Sequence, residues 1–450
     1  MASESTIVAL STPPGLGALA VVRLSGPKSP GIVQKLTQTT AQLKPRIAQH
    51  VNLYSNDELV DDAVVIYYKA PNSYTGEDLV EISCHGSPFI INKLIELCLA
   101  HGARLAQPGE FTRRAFLNGK FNLTQAEAVA DLVFSQTQAS HRAAIQSLAG
   151  SIGKKFSELR NQIIELISIL ELELDFAENE IDKIPANELI KSISNILKIN
   201  NNLLKSYSCG KILKQGVLVP IIGPPNSGKS SLLNAFLNEE RAIVTPYPGT
   251  TRDSLEEAIQ AGGYIIRLLD TAGIRKTKNP IEKIGIDRTK DNIQKGDIIL
   301  FVVDATQPIQ RAWTEYYSSK NTIVVINKID IASQKSLTRY EKHFAPFPHI
   351  FVSAKKHQGI HKLTELIVDS IKKQVGASDS LIITNQRHAT GLRTAKQYLL
   401  TTQKHLKQNL APEILIADLR MALDEYDKIL GKTSNEEILN NIFQHFCIGK

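Results

Sequence analysis

Apolar and polar positions change their period along the chain. In residues 1–118 the apolar runs are short and bounded by Gly, Pro and Ser. Ile7–Leu10 and Gly17–Leu24 flank a Pro-Pro-Gly turn, and Asp62–Tyr68 and Leu79–Cys84 repeat the pattern. Such runs predict strands. Phe89–His101 has helical spacing, so an α+β domain is expected here. From about Leu123 the period becomes helical, through Val129, Leu132, Val133, Leu159, Ile163, Leu166 and Leu170. Thr124-Gln-Ala-Glu127 has the spacing of a capping box with Thr124 as the cap. Helices are expected to continue to about Ser206. Residues 215–374 then alternate buried-strand runs with helical segments, the texture of an α/β domain. Helical periodicity returns over Gln386–Leu406 and Pro412–Leu430. A last helix opens with Ser434-Asn-Glu-Glu437 and carries a stripe of Ile438, Leu439, Ile442, Phe443 and Phe446. The simplest architecture is multidomain: an α+β domain (1–118), an all-α domain built from both flanks (119–214 and 375–450), and an α/β domain (215–374) inserted into it.

Composition narrows the setting. A chain of 450 residues with 42% hydrophobic content is expected to hold two to four domains. Cys84, Cys98, Cys209 and Cys447 show no metal-binding spacing and predict reduced thiols in a cytoplasm. No apolar run reaches membrane-spanning length, and the first residues lack the basic and apolar pattern of a signal peptide. No membrane partner is expected. A net charge of +7 permits, without requiring, an acidic partner such as RNA.

The inserted segment carries the chemistry. Gly223-Pro-Pro-Asn-Ser-Gly-Lys-Ser230 follows the apolar run Val217–Ile222 and precedes a helical stretch, Ser231–Phe236. Strand, glycine loop, Lys-Ser and helix make a P-loop. The glycines let backbone N–H groups turn toward phosphates, and the helix N-terminus adds partial positive charge. Lys229 reaches the terminal phosphates and the Ser230 hydroxyl ligates magnesium. Asn226, Ser227, Gly228 and Ser231 complete the nucleotide-binding loop. Three companions follow in order. Leu268-Leu-Asp-Thr-Ala-Gly273 places Asp270, Thr271, Ala272 and Gly273 at the magnesium and terminal phosphate. Asn327-Lys328-Ile-Asp330 follows the run Thr322–Ile326, and Asp330 can pair with N1–H and the exocyclic amine of guanine, donors that adenine lacks. Ser353-Ala354-Lys355 follows Ile350–Val352 and would close the guanine pocket. Together the four predict a GTPase.

Two details narrow the class. Many GTPases orient the attacking water with a glutamine directly after Asp-x-x-Gly, whereas this chain has Ile274, which cannot polarise water. Glu282 is the candidate replacement, and the alternative is that it is a solvated surface carboxylate. Asn226 offers a side-chain carbonyl to a monovalent cation, or else stabilises the loop. The segment Thr245-Pro246-Tyr247-Pro248-Gly249-Thr250-Thr251 could add carbonyls to the same ion, and Thr250 or Thr251 a magnesium ligand. A potassium ion there could offset transition-state charge where other GTPases insert an arginine. Pro246 and Pro248 stiffen that segment.

The chain ends Phe446-Cys-Ile-Gly-Lys450 after its helical domain. With Arg23-Leu-Ser-Gly26, Pro71–Asp78, His85-Gly86, Pro108–Lys120, Pro248–Asp253 and Ile284-Gly-Ile286, this closely resembles the MnmE (TrmE) family of tRNA-modification GTPases over essentially the whole chain. The resemblance implies a potassium-dependent GTPase cycle, with Asn226, Thr245, Tyr247 and Thr250 around potassium, Ser230 and Thr251 on magnesium, and Glu282 orienting water. It implies an N-terminal folate-binding and dimerisation domain, where Arg23, Glu81, Lys120 and Lys450 contact a 5-formyl- or methylene-tetrahydrofolate derivative. The residue types suit that ligand: cations for a glutamate tail, a carboxylate for pterin amines. It further implies a homodimer, a heterotetramer with the flavoprotein MnmG (GidA), and addition of aminomethyl or carboxymethylaminomethyl groups to carbon 5 of the wobble uridine of certain tRNAs. The competing class is a ribosome-assembly GTPase with a regulatory helical domain. That class would append an RNA-binding module, and no KH-type Gly-x-x-Gly loop stands in a βα context here.

Overall fold

A computed structural model describes residues 5–175, 185–239, 256–270, 296–310, 321–375, 381–433, 436–444 and 446–449. These hold thirteen helices and twelve strands, and the chain divides into two compact units. One comprises 1–134, 144–201 and 387–450; the other comprises 135–143 and 202–386. The second unit thus interrupts the first in sequence.

The first unit begins with a six-stranded sheet built from β1 (Thr6–Leu10), β2 (Gly17–Ser25), β3 (Ala48–Ser55), β4 (Glu58–Tyr68), β5 (Leu79–Gly86) and β6 (Ala103–Leu105). The order is β3-β4-β5-β2-β1-β6, antiparallel except for the β1–β6 pair. Alternation decides which face is covered. Val80, Ile82 and Cys84 of β5 are buried with Val22, Leu24, Val65 and the helices α1 (Ser29–Leu36) and α2 (Pro88–Ala100). Glu81, Ser83 and His85 lie on the opposite, more open face. The four predicted strands and the predicted helix are all present. β3 was not anticipated, because its run Ala48–Ser55 alternates polar with weakly apolar residues and buries only Leu53 fully.

Two further helices follow, α3 (Glu110–Leu117) and α4 (Leu123–Val133). The start of α4 differs from the sequence expectation. The cap is Asn122, whose side chain accepts from the Gln125 N–H while the Gln125 side chain accepts from the Asn122 N–H. Thr124 lies inside the first turn and is buried. The box therefore sits two residues earlier, because Asn122 is extended (ψ 170°) and Thr124 is already helical. This frees Glu127 for another role. Buried, it accepts both prongs of the Arg387 guanidinium at 2.8 Å and meets His388 Nε2 at 2.7 Å. Burial opposes its charge, yet Arg387 and His388 hold its carboxyl below the usual range.

The remaining helices of this unit are α5 (Gln138–Leu148), α6 (Ser151–Asp175) and α7 (Ala186–Gln215), and, later in the chain, α11 (Gln386–Lys407), α12 (Pro412–Leu430) and α13 (Glu436–Phe443). The unit boundary falls inside α5 and α7. Helix α6 packs along α12, joined by an Arg160–Asp427 ion pair. Buried Asn200 of α7 donates to the Leu392 carbonyl and accepts from the Tyr426 hydroxyl at 3.0 Å. Leu439, Phe443 and Phe446 pack with Leu123, Ala126 and Val129, so the C-terminal stripe is core. Ser434 and Asn435, the expected opening of its capping box, lie outside the described residues.

The second unit is an α/β layer. Its strands are β7 (Val217–Ile222), β8 (Glu256–Ala261), β9 (Tyr264–Asp270), β10 (Ile299–Asp304), β11 (Thr322–Asn327) and β12 (His349–Phe351), in the order β12-β11-β10-β7-β9-β8. All pairs are parallel except β8–β9. Every residue of β10 and of β11 is buried, the continuous apolar run expected of strands covered on both faces. Helices α8 (Lys229–Glu239) and α10 (Ile360–Val375) cover one side through Leu232, Phe236, Leu363 and Ile367, and α9 (Gln334–Phe344) covers the other through Tyr340 and Phe344. All four cysteines are free. Burial pushes the Cys84 thiol to about 11 and Cys98 to about 12. No helix among the described residues is long and apolar enough to cross a membrane.

Candidate functional site

The expected nucleotide residues collect at the carboxyl ends of the parallel strands, where open α/β sheets bind ligands. The loop after central β7 runs Gly223 to Gly228, and α8 starts at Lys229. Gly223 has φ +146° and Gly228 φ +94°. A Cβ at Gly223 would stand 2.1 Å from the Val302 carbonyl oxygen, and one at Gly228 2.2 Å from Asn327 Nδ2. Both positions therefore require glycine, through conformation and close approach alike. Asn226 also adopts the left-handed region, φ +61°, one of the few a non-glycine residue visits. Its side chain is exposed, as are Ser230 and Ser231, while Ser227 is buried. Lys229 Nζ donates to the Gly223 and Pro224 carbonyls at 2.9 and 2.8 Å, so the ammonium lies over the loop.

Asn327 ties the site together. It is 2% exposed, donates from Nδ2 to the Ser227 carbonyl at 2.9 Å, and accepts at Oδ1 from the Ala354 N–H at 3.1 Å. One amide thus joins the P-loop to the Ser353-Ala354-Lys355 turn. Ser353 Oγ donates to Asp330 Oδ1 at 2.7 Å, and that bond holds the Asp330 carboxyl below its ordinary value. Ser353 itself is fixed by a two-way backbone bridge with Gln358. Lys355 points out, exposed. Lys328, at φ +66°, sends its ammonium to Asp304 Oδ2 at 2.6 Å. Burial would raise the Asp304 carboxyl, but hydrogen bonds from Lys328 and Thr306 hold it below its ordinary value.

Asp304 was not singled out from sequence. Its signal was present: it ends the apolar run of β10 as Asp270 ends β9 and Asn327 ends β11. Asp270 is in register with Ile221, one residue before the end of β7, so the backbone sets it beside the P-loop. The other expected residues, Thr245 to Thr251, Thr271, Ala272, Gly273 and Glu282, lie outside the described residues.

The second expected site is on the open face of the six-stranded sheet. Arg23 of β2 and Glu81 of β5 are cross-strand partners. Arg23 donates from Nε and Nη2 to Glu81 Oε1 at 3.0 and 2.6 Å, and from Nη1 to the Gly449 carbonyl at 3.3 Å. Its guanidinium lies 5.6 Å from the Tyr74 ring and 5.8 Å from the Phe111 ring. Gly449 comes so close that a Cβ would meet the Leu10 carbonyl oxygen at 2.2 Å. Lys120, exposed, donates to the Pro71 carbonyl at 3.1 Å, on the same loop that carries Tyr74. Lys450 lies outside the described residues.

Beneath that loop is a buried charge network that sequence reasoning missed. Arg114, 4% exposed, donates to Glu77 Oε2 and to Glu110 Oε1, both at 2.9 Å, and to the Ser5 carbonyl. The Ser25 hydroxyl donates to Glu77 Oε2 and also meets the Thr75 hydroxyl, both at 2.8 Å. Arg104 and the Gln107 N–H complete Glu110. Burial opposes the Glu110 charge, but these donors bring its carboxyl down to about 2. Arg114 thus ties the segments Pro71–Asp78 and Pro108–Lys120 together from beneath, with Asn118 donating to the Thr75 carbonyl at 2.8 Å and Lys120 to that of Pro71.

A glycine-cradled lysine beside an Asn-Lys-x-Asp turn, at the carboxyl edge of a parallel sheet, defines a P-loop GTPase. Comparisons with known proteins extend this. A family profile described as "MnmE helical domain" matches residues 123–447, and one described as "GTP-binding protein TrmE N-terminus" matches residues 6–120. The tRNA modification GTPase MnmE of Aquifex aeolicus is 42% identical over 449 residues, 99% of each chain. The same-named protein of Thermotoga maritima is 41% identical over 99% of this chain and 100% of its own. That of Natranaerobius thermophilus is 39% identical over 100% of both. Among solved structures, the G domain of the T. maritima FeoB iron transporter matches 34% of this chain and 98% of its own at 28% identity, with a TM-score of 0.27. The chain belongs to the MnmE family.

Proposed function

We propose that this chain hydrolyses GTP to GDP and phosphate as its part in modifying carbon 5 of the wobble uridine of certain tRNAs. One observation carries the GTPase half: the single Asn327 side chain that bonds both the P-loop and the guanine-pocket turn. In the reading it supports, P-loop N–H groups and Lys229 hold the phosphates, and Asp330, aligned by Ser353, takes the two guanine donors. Ser230 and the β9 terminus at Asp270 offer a hydroxyl and a carboxylate, hard oxygen donors suited to magnesium, with Thr251 as a further ligand. Magnesium, when bound, would offset phosphate charge. Asn226, exposed in its left-handed turn, would ligate potassium with Thr245, Tyr247 and Thr250. Glu282 would orient the attacking water.

The tRNA half rests on family membership. Arg23, Glu81, Lys120 and Lys450 are proposed to hold a tetrahydrofolate derivative, which would supply the one-carbon unit. The residue types fit. Arg23 has two donors committed to Glu81 and one turned to the Gly449 carbonyl, so an anionic tail would compete with that single contact. A homodimer, a complex with the flavoprotein MnmG, action on tRNA and a cytoplasmic site complete the proposal. The GTP cycle is read as driving conformational change that gates the modification.

The test is mass spectrometry of tRNA nucleosides from a host lacking the gene, with and without its restoration. Aminomethyl-type wobble uridines should vanish and return with the gene. An unchanged nucleoside profile would remove the tRNA reading and favour ribosome assembly for the GTPase.

A further inference from the structure

At the corner where β3, β4 and β5 meet, four side chains with metal-binding atoms converge, none of them a residue of the two sites above. Asp61 Oδ1 lies 2.7 Å from His85 Nδ1, and Asp62 Oδ1 lies 3.8 Å from the same nitrogen. His50 Nε2 stands 3.0 Å from Asp62 Oδ2. The donor atoms of Asp61, Asp62 and His85 all fall within 4.8 Å of one another. Each strand contributes: His50 from β3, Asp61 and Asp62 from β4, His85 from β5.

The group is anchored on one side and open on the other. The Asp61 side chain is 6% exposed and its Oδ2 accepts from the His85 backbone N–H at 2.9 Å. One carboxylate oxygen is thereby fixed and the other turned to the imidazole. His85 and Asp62 remain 62% and 52% exposed, so an ion in solution reaches them.

We propose that Asp61, Asp62 and His85, with His50 as a fourth donor or as a brace on Asp62, form a site for a divalent first-row transition metal ion such as zinc or cobalt. Two imidazole nitrogens with two carboxylates suit zinc, cobalt or nickel, whereas magnesium and calcium prefer oxygen alone. Ligand atoms about 2.0–2.2 Å from a tetrahedral ion stand about 3.3–3.6 Å apart. The observed separations of 2.7 and 3.8 Å bracket that value, so small rotations of exposed side chains close the shell. The ion would take the place of the protons that the imidazoles now share with the carboxylates. It would cross-brace three strands of the sheet.

The experiment uses the full chain in a Cys447→Ser background, stripped of metal and nucleotide, titrated with zinc by calorimetry and with cobalt by visible absorption. One tight equivalent per chain is expected, with a cobalt d–d spectrum free of thiolate charge transfer. His85→Ala and Asp62→Asn should each abolish that equivalent, and His50→Ala should weaken it about 10–100-fold if it acts through Asp62. Circular dichroism and GTP turnover, unchanged in the exposed Asp62→Asn variant, separate lost binding from lost fold. No tight equivalent, or one unaltered in Asp62→Asn, overturns the proposal.

Discussion

At the nucleotide edge, recognition is carried mostly by backbone and by residues adjacent in the chain. On the N-terminal sheet the proposed binding residue Arg23 meets the Glu81 carboxylate across 58 residues of sequence and the Gly449 backbone carbonyl across 426. The first arrangement leaves a readable string, because a loop that wraps phosphates needs glycines and a lysine at fixed spacing. The second leaves isolated charged letters, because strand register and not spacing creates the contact. The two also differ in what holds them. Asn327 spans the nucleotide edge with neutral hydrogen bonds, whereas a buried arginine between two carboxylates braces the N-terminal loops.

That contrast is open to attack by substitution. The largest effect is expected at Arg114. Arg114→Leu leaves Glu77 a buried carboxylate without its cation, while Glu110 keeps Arg104, and should cost about 3–5 kcal/mol of stability, read by urea unfolding. Lys229→Ala, by comparison, should leave the unfolding curve in place and abolish tight GTP binding. Acid probes the same network. Glu110 titrates at about 2 in the fold against an ordinary 4.5. Its contribution, about 3 kcal/mol, is therefore complete above pH 4.5 and lost as pH falls toward 2. Thermal melts between pH 5 and 2.5 should show that loss, and its absence would mean the carboxylate is not held as described.

Next in size is Glu282→Ala, expected to keep nucleotide affinity and lower hydrolysis about 10²–10⁴-fold. Loss of affinity as well would make Glu282 structural. Asn327→Ala leaves the Ser227 carbonyl and the Ala354 N–H without their partner. A cost of about 2 kcal/mol there weakens GTP binding about 30-fold, measurable with a fluorescent analogue. The smallest effect is expected at Glu81→Gln. The pair is mostly buried, but the Gln amide oxygen still accepts from Arg23, so stability should change by about 1 kcal/mol, while affinity for a tetrahydrofolate derivative changes measurably.

Legibility followed the same division. The helices of the first unit were visible because Gln386–Lys407 and Pro412–Leu430 carry unbroken helical periodicity. The P-loop strand and both guanine-side turns were visible because apolar runs end in polar signatures. Asp304 escaped notice although it ends such a run, since its function is to hold Lys328 and it belongs to no contiguous motif. The cap of α4 was misplaced because Thr124 and Asn122 are both good caps, and only backbone conformation chooses between them. Glu110 and Arg114 stand four residues apart on one helix and were open to pairing from sequence, but Glu77 was not. Nothing in a string of letters indicates that a loop and a helix 37 residues apart share a buried charge.

The central claim is that Asp330, aligned by Ser353 and tied through Asn327 to the P-loop, makes this chain a guanine-specific hydrolase. The direct measurement is kcat/KM for GTP, ATP and XTP in the parent chain and in Asp330→Asn. Xanthine presents a carbonyl where guanine presents its amine, so an amide side chain matches it. The parent should prefer GTP over ATP by about 10⁴ or more, and Asp330→Asn should lose most GTP turnover while gaining XTP turnover. A parent that turns over ATP as well as GTP, or an Asp330→Asn variant that keeps its preference for GTP, would contradict the account.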